Sequence, residues 1–249
     1  MKRIAALLTL IFLATPAQAQ GLGGLFGGKK DDSSASQKGA VKAPSMEDAL
    51  KQSAELITYV GIATELGISA LDQIRQAYPP GRFPKIDVLC NRQAEAKKNG
   101  KNIDLDSETS KSFSDIGPEI DSMEKEYKDY KKDKTANFGK AYGKLGLAAL
   151  ADGVATLRVQ DTMKGLQGGL DEIAKNPFKI TQAGKLKAQI ATLAAIGTML
   201  PVQLKCFQGV RGISKSVAAA EKIKLSPDLK AEDLGSIEKL QASSKELLD

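Results

Sequence analysis

The residues of this chain whose types could do chemistry are few. They are two cysteines, Cys90 and Cys206, the carboxylates Glu65, Asp72 and Asp152 in apolar stretches, and an acidic run at Asp104, Asp106 and Glu108. In an exported protein two cysteines read first as a disulfide, a staple between an early segment and a late one. A redox-active pair is the weaker reading, because there is no C-x-x-C and no βαβ pattern around either residue. Paired carboxylates do acid–base work when their surroundings push their pKa values apart. Glu65 and Asp72 share a helix face but lie about two turns apart. That spacing, like Asp152 with Arg158 in the apolar 145–166 stretch, fits half-exposed positions on a bundle better than a catalytic pair. The run Asp104-x-Asp106-x-Glu108 lacks the glycine and the bidentate glutamate of a calcium loop, and Asp106 or Ser107 serves better as a helix cap.

Absences narrow the chemistry further. The chain has no histidine and no tryptophan, and aromatic residues make up 5% of it. Ser-His-Asp and Cys-His catalysis and His-ligated metals are therefore excluded. No P-loop, G-x-S-x-G, H-E-x-x-H or dinucleotide fingerprint is present. After residue 19 arginine occurs only at Arg75, Arg82, Arg92, Arg158 and Arg211, so the bidentate fork that reads phosphates and bases is scarce. The reading is non-enzymatic, with no metal, no cofactor and no nucleic-acid partner.

The most specific spacing belongs to small residues. Gly139, Gly143, Gly146 and Gly153 fall on one face of a helix, and Gly184, Ala188, Ala191, Ala195 and Thr198 do the same on a later one. Glycine inside a helix costs about 1 kcal/mol against alanine, so several on one face imply close backbone approach. The expectation is that these two helices pack against each other as a tight antiparallel hairpin, in a soluble core or able to leave that core for a membrane. The stretch from Ala188 to Leu204 is uncharged, yet its Gln189, Thr192, Thr198, Pro201 and Gln203 make it a poor permanent membrane span. Residues 135–224 hold 13 Lys and Arg against 5 Asp and Glu in a chain of net charge +6. That suits anionic headgroups or an acidic partner, or simply keeps an alanine-rich bundle soluble.

The elements that carry these residues follow from leader, arm and helical period. Met1-Lys2-Arg3, the apolar run Ile4–Leu13 and Ala17-Gln18-Ala19 have the three parts of a secretory signal peptide, with cleavage expected after Ala19. Residues 20–44 form a Gly/Ser/Lys-rich arm, a flexible tether or a docking peptide whose Leu22, Leu25 and Phe26 would share one face of an induced helix. Residues 45–249 form a single domain.

Helical period and caps predict helices from Ser45 to Tyr78, stopped by Pro79-Pro80-Gly81, then over 84–98 and over 107–132 with a break or kink at Gly117-Pro118. The charged stretch Glu124–Lys132 reads as a solvated helix face. Further helices are predicted over 137–174, with Gly168-Gly169 a candidate interruption, over 181–223 through or restarting at Pro201, and over 230–248. No strand pattern appears. The chain is expected to be an all-α, elongated bundle of about five to seven helices.

Two functional readings result. The first is an exported interaction or adaptor protein of a bacterial cell envelope, periplasmic or secreted, with an envelope protein as partner. The second is a membrane-active protein, peripheral or pore-forming, acting on an anionic membrane surface through helices 135–224.

Overall fold

The computed structural model describes residues 44–125, 129–175, 180–229, 234 and 236–248, and among them the protein is an all-α bundle of six helices. The expected leader, and the expected arm with Leu22, Leu25 and Phe26, fall on residues outside the described ones.

Helix α1 spans Met46–Arg75. Ser45 caps it, accepting the Asp48 N–H at 3.2 Å, and Glu47 and Asp48 in the first turn oppose the helix dipole. The chain turns at Gly81 with φ +74° and enters α2, Pro84–Lys98, with proline in its first turn. No residue of α2 caps its own start. The Glu119 carboxylate of the next helix does so instead, accepting the N–H groups of Lys85 and Ile86 at 3.0 and 2.9 Å. Helix α3, Ser107–Lys125, is capped by Asp106, whose Oδ1 accepts the Thr109 N–H at 2.8 Å. It runs through Pro118 without ending, because Ile116 and Ile120 on either side are buried and hold both turns in the core.

The charged stretch after α3 differs from the helical expectation. Among its described residues, Asp129 to Lys131 are not helical, and Tyr130 is buried with its hydroxyl donating to Glu221. A short 3-10 turn, Lys132–Lys134, leads into α4, Ala136–Ala174, which Gly168-Gly169 does not interrupt. Helix α5, Ile180–Glu221, likewise continues through Pro201. Helix α6, Ile237–Leu248, closes the domain.

Helices α1, α4 and α5 form the core. Helix α4 runs antiparallel to α1: Asn137 Nδ2 donates to the Gln73 carbonyl at 2.8 Å, and Lys144 Nζ to Ser69 Oγ at 2.9 Å. Helix α5 is antiparallel to α4 and parallel to α1, to which Gln203 Nε2 donates at Thr64 Oγ1, 2.9 Å. Helix α3 covers α5, and α2 lies on α1. The interlocking includes one close approach the sequence did not reveal. A Cβ on Gly67 would stand 1.9 Å from Cζ of Phe207, so the ring occupies the space of the missing side chain. Gly165 and Gly169 do the same for Ala49 and Met46, letting α4 meet the start of α1. Tyr78, Phe83, Tyr130 and Phe138 form edge-on aromatic pairs, with centroids 5.1 to 6.3 Å apart, at the end where α1 stops and α4 begins.

The expected disulfide is corrected. Cys90 and Cys206 are both free and buried. Helices α2 and α5, which carry them, do not come within 8 Å of each other, Cα to Cα, whereas a bridge needs about 4.4–6.8 Å. Cys90 Sγ sits 3.9 Å from the Ile68 carbonyl oxygen of α1, and Cys206 Sγ 3.5 Å from that of Phe113 in α3. Each thiol fills a separate interface, and burial pushes both up to about 12. They behave as small apolar groups rather than as nucleophiles.

Candidate functional site: the outer face of helix α5 and a buried carboxyl

The two small-residue stripes do not meet. On α4, Gly139 faces Ile223, Gly143 faces Ser226 and Leu247, and Gly146 faces the Arg211 guanidinium, while Gly153 has open space. On α5, Gly184, Ala188, Ala191 and Thr198 are exposed and Ala195 partly so. Helices α4 and α5 are an antiparallel pair, but α5 turns inward its other face, with Leu186, Leu193, Ile196, Leu200 and Phe207. Burial of apolar area favours large aliphatic side chains over alanines by about 25 cal/mol per Å², and this decides which face becomes core.

The result is an outward helix face without charge. From Ala188 to Leu204 α5 carries no ionisable side chain over about 25 Å of axis. Exposed Ala188, Ala191, Thr198 and Pro201 lie along it, with Lys185 and Lys187 exposed at one end and Lys205 at the other. Leu157 of α4, 68% exposed, is a large apolar side chain in the open. Both α1 and α5 are long and apolar enough to cross a membrane by length and composition. Of the most apolar stretch of each helix, 44% is buried inside the bundle in α5, against 56% in α1.

The α4 glycines serve a different place. Gly143 and Gly146 form one wall of a cavity of about 210 Å³ between α4, α5, the segment after α5 and α6, with Leu147, Leu150, Leu229 and Leu247 around it. Arg211 lies over the Tyr142 ring at 4.4 Å and bonds Asp228 Oδ1 at 2.7 Å, and the Tyr142 hydroxyl donates to the same carboxylate. The Tyr142 and Arg211 bonds hold Asp228 below the ordinary carboxylate range. These contacts tie the segment after α5 to α4, and no nucleophile stands beside a base among them.

The candidate carboxylates are dispersed. Glu65 pairs with Lys97 of α2 at 2.8 Å, and Asp72 with Arg75 at 2.7 Å, which also reaches Asp87 at 2.7 Å. Both are half-buried; the Glu65 pair joins α1 to α2, while the Asp72 pair lies within α1 and holds the Arg75 that reaches α2. Arg158 is exposed. Asp104 stays exposed, Asp106 is a helix cap and Glu108 lies 3.5 Å from Arg92. No cluster of three His, Cys, Asp or Glu that could hold a metal occurs among the described residues.

Asp152 departs from the half-exposed position expected of it. It is fully buried, neither carboxylate oxygen has a hydrogen-bond partner among the described residues, and burial raises its carboxyl well above the ordinary value. Its sequence signal was weak: one acid between Ala151 and Gly153 within an apolar run. The Glu119 cap and the Gly67–Phe207 approach had less signal still, since both join segments far apart in the chain. Set beside known proteins, the chain matches no family model, no curated protein and no solved structure, so its own surface carries the functional argument.

Proposed function

We propose that this is an exported, non-enzymatic interaction or adaptor protein of a bacterial cell envelope, periplasmic or secreted, whose bundle presents the outer face of α5 to a protein partner. The observation that carries the reading is the uncharged stretch Ala188–Leu204, exposed along one side and bounded by lysines. A surface helix normally carries charge on its outer side. A face of alanine, threonine and glycine lets another backbone approach closely at little entropic cost. The experiment compares the wild type with Ala191→Glu. Ala191 is exposed, so the variant folds with an unchanged unfolding midpoint. Loss of the protein crosslinked to the wild type in intact cells supports the reading, and undiminished crosslinking to the same protein refutes it.

A second reading rests on the membrane-length apolar character of α1 and α5 together with the excess of lysine and arginine over 135–224. It makes the protein membrane-active on anionic lipid. Flotation with anionic vesicles at low and high salt tests it: co-flotation that survives high salt supports apolar insertion, and protein left at the bottom at both salts removes the reading.

A further inference from the structure

Asp152 is an expensive residue in its position. A carboxylate taken out of water without a partner loses several kcal/mol of solvation, and proteins avoid this by pairing the group, bonding it or keeping it neutral. Here neither oxygen is bonded. Its neighbours on the same face of α4 are Ala148 and Ala155, both fully buried. Registers set by Lys144–Ser69 and Val159–Gly197 place Asp152 level with Gly61 and Ile62 of α1 and with Leu204 of α5. That is within a turn of the Thr64–Gln203 hydrogen bond, where the Gln203 Oε1 is also buried without a partner.

The charged groups of every helix packed on this level are turned to other tasks. On α1, Glu65 is bonded to Lys97, Asp72 to Arg75, and Glu55 is half-exposed. On α4, Lys144 bonds Ser69 Oγ and Arg158 is exposed. On α5, Lys205 is exposed and Arg211 is bonded to Asp228, and on α6 Glu246 is exposed. Burial is thus the influence that acts on Asp152. The helices are also weak at this level. Gly61 and Gly153 adjoin it, and a Cβ on either would meet nothing within 4 Å, so no packing requires them. Each lowers its helix by about 1 kcal/mol against alanine.

We propose that the layer at Asp152 is a built-in opening point of the bundle, at which ionisation of this one carboxyl separates α4 from α1 and α5. The closed layer holds the neutral acid. Separation admits water, the proton leaves to solvent, and the inward apolar faces of α1 and α5 become accessible. Acid therefore keeps the bundle shut and rising pH loosens it. The device is independent of whether the outer face of α5 meets a protein or a lipid.

Native-state hydrogen exchange on the full domain, followed at α4 amides and corrected for intrinsic rates between about pH 5 and pH 9, reads the opening constant. In the wild type it should rise about tenfold per pH unit until the closed-state carboxyl itself ionises. In Asp152→Asn it should be flat. Equal pH dependence in both proteins overturns the proposal. Should Asp152→Asn fail to fold, infrared spectra of the wild type decide. A protonated-carboxyl carbonyl band that persists at neutral pH, while exchange is still accelerating, and fades only where the acceleration levels off supports the proposal. Absence of that band at neutral pH overturns it. Ala191→Glu, on the exposed face, should leave the exchange profile unchanged, which separates failure of this device from failure of the docking face.

Discussion

Replacing Gly67 by alanine tests whether the packing of α1 on α5 is as close as described. The added Cβ would lie 1.9 Å from Cζ and 2.0 Å from Cε1 of Phe207, where carbon atoms prefer about 3.5–4.0 Å. The ring must therefore move by about 1.5 Å. It has little room, being fully buried and set edge-on to Phe113 with centroids 5.8 Å apart. Overpacking of this kind costs about 1–3 kcal/mol, and so deep an overlap belongs at the upper end. Alanine recovers about 1 kcal/mol of helix propensity, which leaves a net loss of about 2 kcal/mol. Gly61, six residues earlier in the same helix, has nothing within 4 Å of a built Cβ, so Gly61→Ala should gain up to about 1 kcal/mol. Urea unfolding at constant slope measures both. Adding Phe207→Leu to Gly67→Ala removes the colliding ring edge and should show a coupling of about 1 kcal/mol or more. If Gly67→Ala proves as stable as Gly61→Ala, the close approach of α1 and α5 is wrong.

The remaining predictions concern the thiols, a cap and the buried acid. Native Cys90 and Cys206 should resist a thiol reagent at mildly alkaline pH and react on unfolding, and reductant should leave the melting temperature unchanged. A bridge worth about 4–5 kcal/mol would instead shift it by about 10 °C. Glu119→Ala should cost about 1–2 kcal/mol and speed amide exchange at Lys85 and Ile86, whose N–H groups it caps. Asp152 has a folded-state carboxyl raised above its unfolded value, so its penalty is absent below the unfolded value and grows as pH rises toward the folded one. The stability of Asp152→Asn relative to the wild type should therefore increase by about 1.4 kcal/mol per pH unit in that window, read from urea midpoints at several pH values.

Where local chemistry fixes an element, the sequence alone shows it. Ser45 with its acidic first turn, Pro79-Pro80-Gly81 and Pro84 mark the limits of α1 and α2, and the helical period predicts α4 and α5. Proline was a weaker guide at Pro118 and Pro201, because buried neighbours on both sides outweigh the one backbone bond each removes. The α5 stripe shows the limit of periodicity. Gly184, Ala188, Ala191 and Ala195 share one face, and Leu186, Leu193 and Leu200 share another. Period alone does not say which face is core, and buried area does. The expected export favours a disulfide, but sequence spacing gives no through-space distance, and α2 and α5 stay apart. Asp152 was visible as an acid in an apolar run, yet its burial depends on how α1 and α5 close over α4.

The proposed docking of a protein partner depends on the outer face of α5. The most direct test places a photocrosslinking residue at each position from Ala188 to Leu200 in turn and records adducts in intact cells. Docking on this face should give one discrete adduct with helical period, formed from Ala188, Ala191, Ala195 and Thr198 and absent from buried Leu193, Ile196 and Leu200. Adducts from no position, or adducts without that period, would contradict it.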